Sequence, residues 1–297
     1  MNRGIALVLG AYIFWGLHPV FWKLLKHIPS TEILAHRIFW SFLFFSIIIS
    51  KRKSWKELFY RIKGAGSPAV YLLPALLIGS NWGVYVWAVN AGFVLETSMG
   101  YFISPLVSVL LGVIFLKERL NRIQLTGVSI AAAGVLLTAI LMGTLPWISL
   151  YLALSWGFYG LLRKKSPLNS AEGLTIETAL LSVPAIFYFV FIFNSGTGSF
   201  TADPVTSLLL ICTGVISGLP LIIFIAGSRM IDLSLAGIIQ YIYPTLIFLI
   251  GRFIYNEPLN SAKLTGFIFI WIALVVYTAG SNNLLIKKNS RPGLEQV

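Results

Sequence analysis

Cysteine, histidine and acidic residues are all scarce in this chain of 297 residues, and each scarcity excludes something. The single cysteine, Cys212, sits inside an apolar run, so neither an intrachain disulfide nor a cysteine metal site can form. His18, His27 and His36 are nine apart with no ligand-like cluster around them, and no metal site is expected. Charged residues make up only 11% of the chain, against about 25% in soluble domains. There is no Walker A sequence, no His-Glu-x-x-His, no paired-Asp prenyltransferase motif and no Gly-x-Ser-x-Gly. An enzyme is therefore not expected, and no cofactor is implied. A channel is disfavoured too, because no ring of charges or filter sequence is present.

What the chain has in abundance is apolar sequence: 57% of its residues are hydrophobic and the mean hydropathy is +0.86. That excludes a water-soluble globular protein. A membrane helix needs roughly 20 apolar residues plus a short connection. Apolar runs lie at roughly 4–25, 32–50, 69–90, 96–116, 123–142, 147–163, 174–193, 205–227, 233–254 and 263–284. An all-α polytopic membrane protein with ten transmembrane helices is expected, with no room for a soluble domain. The first run is too long for a signal peptide and lacks a small-x-small cleavage site, so it reads as a retained helix.

The net charge of +12 suggests nucleic acid, but its distribution argues for a lipid bilayer as the partner. The basic residues lie in short clusters between apolar runs, as orientation signals do. With the N-terminus inside, most of them fall on inner segments: Arg3, the stretch Lys51 to Lys63, Lys117 to Arg122, Arg163 to Lys165, Arg229 and the tail. Both termini are therefore expected in the cytoplasm, with the protein in the cell (inner or plasma) membrane. No nucleic-acid partner is expected, and the oligomeric state is not legible.

An internal repeat is visible within the chain itself. Shifting the first half by 139 residues superposes Ile103 on Ile242, Pro105 on Pro244, Gly112 on Gly251 and Glu118 on Glu257. Leu120-Asn121 then meets Leu259-Asn260, and Leu125-Thr126-Gly127 meets Leu264-Thr265-Gly266. Trp15-Gly16 and Lys23 match Trp156-Gly157 and Lys164 at an offset of 141. The expected organisation is a first five-helix repeat at 1–142, a second at 143–286, and a short basic tail at 287–297. Five crossings leave the chain on the opposite face, so the second copy enters the membrane inverted. Inverted repeats are a recurrent architecture of secondary transporters, with the site near the midplane at their interface.

The segments Leu116 to Gly127 and Tyr255 to Gly266 both read hydrophobic-x-Glu-x-Leu-x-x-x-x-Leu-x-Gly. They resemble the EamA repeat of the drug/metabolite transporter superfamily. Glu32-Ile-Leu with His36-Arg37 and Trp40-Ser41, Asn81-Trp82 with Trp87-Ala-Val-Asn90, and Gly100-Tyr-Phe-Ile with Pro105-Leu106 resemble its RarD branch. Phe158-Tyr-Gly-Leu with Arg163-Lys164, and Gln240-Tyr-Ile with Pro244-Thr-Leu, continue that resemblance along nearly the whole chain. It implies a ten-helix permease without an ATPase. The branch is commonly named for chloramphenicol sensitivity, and relatives in the superfamily move amino acids and other metabolites. Export, rather than import, follows from the resemblance alone. The expected activity is secondary transport of small amphipathic or aromatic solutes, such as amino acids or chloramphenicol-like compounds.

Candidate site residues follow from depth. At about 1.5 Å of rise per residue, Pro105 and Pro244 fall near the middle of a hydrocarbon core about 30 Å thick. The repeat superposes Tyr101 on Gln240 and Ser104 on Tyr243, so polar side chains recur at matched midplane positions. With Tyr241, these either line a cavity or bond helices together. Trp15, His18 and Trp22 share one face of the first helix, with a kink expected at Pro19. Asn81 and Trp82 in the third helix, and Trp156 and Tyr159 in the sixth, complete the expected cavity. His18 and Glu177 are candidate proton carriers, with packing as the alternative for His18. Glu32, Arg37 and Glu96 on the outer side, and Arg229 and Asp232 inside, either gate the site as ion pairs or serve as helix-end charges. With no basic residue read at midplane depth, a strongly anionic substrate is expected to fit less well.

Overall fold

The computed structural model describes residues 2–53, 55–64, 69–91, 93–143, 147–200, 203–254 and 261–289. Side chains at 69, 89, 90, 94–96, 98, 263 and 281–289 are outside that description. Among the described residues the regular structure is entirely helical. In chain order the helices are α1 (Arg3–Trp22, followed by a 3-10 turn, Lys23–Leu25), α2 (Ser30–Lys51), α3 (Trp55–Gly64), α4 (Ala69–Asn90), α5 (Val94–Leu116) and α6 (Arg122–Met142). There follow α7 (Trp147–Lys165), α8 (Ser170–Asn194), α9 (Pro204–Ser228), α10 (Leu233–Gln240), α11 (Ile242–Phe253) and α12 (Ser261–Asn289).

Helix starts are set by polar side chains that take up otherwise orphaned backbone N–H groups. Asn2 accepts from the Gly4 N–H at 2.9 Å. Asn121 and Asn169 each form a reciprocal capping box, with Gln124 and Glu172 respectively. Asp203 caps α9, with Pro204 in the first turn, where a missing N–H costs nothing. Among the described residues, eight helices are long and apolar enough to cross a membrane: α1 with its 3-10 turn, α2, α4, α5, α6, α8, α9, and α10 and α11 taken together. A shorter apolar stretch, Leu264–Gly280, lies within α12. The basic end of α7, Arg163 to Lys165, leaves that helix outside this set of eight.

Two features depart from the expected segments. The stretch Lys51 to Lys63 contains the short helix α3. Its Leu58 is buried in a cluster with Ile49, Tyr71, Leu168 and Ala171, while Phe59 and Tyr60 are exposed. The run 233–254 is broken at Tyr241 into α10 and α11. Pro244 sits in the first turn of α11, where it can neither donate to nor continue the preceding turn. Its sequence counterpart Pro105 stays inside an unbroken α5.

The principal contacts pair α6 with α12, α2 with α8, and α5 with α10. They also pair α1 with α9 and α7 with α4, α2 with α9 and α8 with α4, and α5 with α7 and α1 with α11. Hydrophobic burial cannot drive helices together in lipid, so close backbone approach matters more. At Gly214 of α9, a Cβ would lie 2.4 Å from the Trp40 backbone of α2, and Ser41 Oγ donates to the Gly214 carbonyl at 3.0 Å. Large apolar side chains such as Phe187, Phe191 and Val275 point outward. Hydroxyls buried within α8 bond their own helix, as Thr175 does to the Ala171 carbonyl at 2.8 Å and Ser182 to that of Thr178 at 2.7 Å. No polar hydrogen there needs water.

Candidate functional site

A cavity of about 460 Å³ lies between α1, α2, α4, α5, α7, α9 and α10–α11, a size typical of small-molecule sites. Nine of the expected residues line it: Trp15, His18, Asn81, Trp82, Tyr101, Ser104, Trp156, Gln240 and Tyr243. Pro19 and Pro244 line it as well. Its walls are largely aromatic. Trp15 and Trp156 meet edge to face at 5.6 Å, Trp156 stacks on Phe224 at 5.3 Å, and Tyr101 meets Tyr243 at 4.9 Å.

Most of the polar side chains that line it have protein partners, while Arg37 Nε and Ser217 Oγ are buried without one among the described residues. Tyr12 donates to Gln240 Oε1 at a long 3.3 Å. Asn81 donates from Nδ2 to the Leu152 carbonyl at 3.0 Å and to Ser155 Oγ at 2.8 Å, so it ties α4 to α7 while facing the cavity. Ser104 is satisfied within α5, donating to Gly100 O at 2.9 Å. His18 Nε2 lies 3.1 Å from the Ile216 carbonyl, a contact that places the ring proton on that nitrogen.

The cavity is closed at one end of the bundle and extends toward the other. Gly4 packs on Met230 and Ile231, so α1 and α10–α11 start at the same end. Along α1 the lining runs from Tyr12 to Trp22, and along α10–α11 from Gln240 to Arg252, both leading away from that end. The terminus end is sealed by polar contacts. Glu118 accepts from the N–H groups of Leu233 and Ser234 at 2.6 and 2.8 Å and from Ser234 Oγ at 2.6 Å, capping α10 from a distant part of the chain. Lys164 donates to the carbonyls of Ser228, at 2.9 Å, and Ile231. Asp232, just before α10, has its carboxyl pushed above the usual range by burial and by the neighbouring Glu118.

Several expected placements are corrected. Tyr159 and Tyr241 are fully buried outside the cavity: the Tyr159 hydroxyl donates to Glu177 at 2.9 Å, and that of Tyr241 to the Phe102 carbonyl at 3.2 Å. Pro105, a residue expected at a kink, lies within α5, and its carbonyl packs against Gly237. Glu177 is held by Tyr159 and by Arg163, whose Nε lies 3.4 Å away, with both charged groups about 2% exposed. Glu177 is not among the residues that line the cavity, whereas His18 is.

Two of the candidate gating residues, Glu32 and Arg229, are engaged by other groups. Glu32 is bound by Ser199, through its N–H at 2.7 Å and its hydroxyl at 2.9 Å, and lies 3.9 Å from His36; it does not meet Arg37. Arg229 donates to the Leu168 carbonyl rather than to Asp232. The Glu96 side chain falls outside the described residues. Arg37 itself lines the cavity, its Cζ 3.9 Å from the centre of the Trp82 ring. A basic side chain therefore does reach the site, because Arg37 lies two turns into α2 rather than at its start. Tyr12, Tyr85, Ser217 and Arg252 also line the cavity without having been singled out. The depth arithmetic that located Pro105 would have found Arg37; Tyr12 and Ser217 carry no distinguishing sequence signal.

The EamA-like transporter family matches residues 2–140. The chain is 46% identical over 280 residues to the Bacillus subtilis (strain 168) protein named uncharacterized transporter YojE, spanning 93% of this chain and 94% of that one. It is 42% identical over 278 residues to Protein RarD of Escherichia coli (strain K12), covering 93% and 94%. To the chloramphenicol-sensitive protein RarD of Pseudomonas aeruginosa it is 31% identical over 303 residues, covering 99% of each chain. One solved structure, titled only as the crystal structure of a protein, shares the fold with a TM-score of 0.70 at 17% identity, over 93% of this chain and 97% of that one. With such relatives aligned along almost its whole length and membrane-crossing helices packed around a central cavity, the chain belongs to the EamA-like transporter family, in its RarD-like branch, and is a membrane transporter.

Proposed function

We propose that the protein is a secondary transporter that moves small amphipathic or aromatic solutes by alternating access around the central cavity. The observation that carries this reading is the meeting of Tyr101 and Tyr243 with Gln240 in one cavity. They come from α5 and α10–α11, the helices that the internal repeat superposes. In the same reading, ten spans form two inverted repeats, 1–142 and 143–286. The pairing of contacts supports it: exchanging α1, α2, α4, α5 and α6 for α7, α8, α9, α10–α11 and α12 maps each principal helix pair onto itself or onto another observed pair.

With both termini in the cytoplasm, as the basic residues argue, the present shape is the outward-facing one, and the contacts of Glu118 and Lys164 form the closed inner side. Alternation requires these contacts to break as the opposite end closes. Export is the direction favoured by the RarD-like relatives. His18 is the proton carrier of this scheme, being the histidine that lines the cavity.

The test is flux of aromatic and aliphatic amino acids and chloramphenicol in proteoliposomes, with and without an imposed pH gradient, comparing wild type with Gln240→Ala. Saturable flux lowered at least tenfold in the variant is expected, together with dependence on the gradient that His18→Gln abolishes. Absence of saturable flux for every compound would overturn the reading.

A further inference from the structure

We infer that the solute carries a carboxylate on an aromatic body, and that Arg37 is the residue that receives it; this deepens the transport reading above and rests on it. The argument begins with a contrast between two arginines. Arg163 has an acid and several oxygens beside it: Glu177 at 3.4 Å, Ser166 Oγ at 3.4 Å, and the carbonyls of Asn169 and Ser170 at 3.1 and 3.4 Å, although its Nε makes no well-aligned hydrogen bond. Arg37 has no such set. Its Nε is shielded from solvent without a hydrogen-bond partner, and the ion pairs among the described residues involve Glu32, Glu172 and Glu177 with other cations. Among the described residues no Asp or Glu lines the cavity.

A guanidinium stays protonated, so it cannot escape the cost of burial by losing its charge. The Trp82 face offsets part of that cost, but a ring quadrupole does not replace a counter-ion. The groups around Arg37 are also suited to a bound anion. Tyr85, Tyr101 and Tyr243 line the same cavity, near enough to Arg37 to interact with it electrostatically. A guanidinium fork flanked by phenolic donors fits the two oxygens of a carboxylate. Trp15 and Trp156, packed edge to face in the same cavity wall, offer ring surface against which an aromatic body can lie. The same site disfavours organic cations, which would meet Arg37 without an acid to accept their charge.

The discriminating experiment is calorimetric titration of the purified full-length protein in detergent with three indoles of similar size. These are indole-3-acetate, neutral indole-3-acetamide and cationic tryptamine. Wild type is expected to bind the acetate at least tenfold more tightly than the acetamide, with tryptamine weakest. That preference should collapse in Arg37→Gln and persist in part in Arg37→Lys, with both variants first matched to wild type in thermal melting. Equal binding of acetate and acetamide by wild type, retention of the preference in Arg37→Gln, or no binding of any of the three would each overturn the assignment. Parallel flux in proteoliposomes separates the two readings. Carboxylate-selective binding without flux would keep the anion site and overturn the transporter proposal. Saturable flux without carboxylate preference would do the reverse.

Discussion

Two ion pairs that look alike in sequence differ in weight because of where they sit. Arg163 and Glu177 are both about 2–3% exposed, whereas Arg61 is 45% exposed beside Glu172. Removing one partner of a buried pair strands a charge and costs about 3–5 kcal/mol, while an exposed pair contributes about 0–1 kcal/mol. Arg163→Met is therefore expected to destabilise more than Arg61→Met, because Arg61 is half exposed and its buried partner Glu172 keeps the Asn169 N–H, as read by thermal unfolding in detergent. Equal effects would refute the distinction. Asp203 makes a pH prediction. Hydrogen bonds from Thr206, side chain first and backbone second, hold its carboxyl below the usual range. Because the folded value is the lower one, this stabilisation is present above the ordinary carboxylate range and is lost as pH falls through the folded value. The melting difference between wild type and Asp203→Asn should shrink on acidification, and a difference that grows would contradict the cap. At this scale the sequence displayed types and depths: it located Trp15, His18 and Gln240, but could not say that Glu177 is held away from the cavity by Arg163, a neighbour only through the packing of α7 on α8.

At the scale of elements, the acid of the EamA-like segment has a defined task. Glu118 supplies three hydrogen bonds to the start of α10, satisfying N–H groups that no residue of α10 itself reaches. Loss of such charge-assisted bonds costs about 1.5–3 kcal/mol each at most, with partial relaxation reducing the sum. Glu118→Ala is expected to lower stability by about 2–4 kcal/mol on that scale, with Glu118→Gln milder. Unfolding measurements that find the two alike and near wild type would argue against capping. Gly214→Val should be worse tolerated than most apolar changes, because its first added carbon already overlaps the Trp40 backbone; expression and monodispersity of the purified variant would show this. The ends of most helices were legible from apolar runs and caps. The break at Tyr241 was not, since Pro105 and Pro244 occupy matched positions and only one interrupts its helix.

For the whole molecule, the asymmetry of closure is the testable property. In a Cys212→Ser background, Ile247→Cys, which lines the cavity toward its open end and is only half-buried, is expected to react with a membrane-impermeant thiol reagent added outside intact cells. Ser234→Cys, buried against Glu118, is expected to resist it. The opposite pattern would reverse the orientation argued from the basic clusters.

Composition and periodicity by themselves determined that this chain lives in a membrane as packed helices, because 11% charge and long apolar runs leave no soluble alternative. The fixed offset between halves determined which positions correspond. Only the tertiary structure decided which polar groups face one another. Arg37 meets Trp82 across α2 and α4, and Glu118 meets α10 across 115 residues of chain. Sequence spacing specifies a face of one helix; the partner of that face depends on how separate helices pack, and in lipid close backbone approaches such as that at Gly214 set that packing.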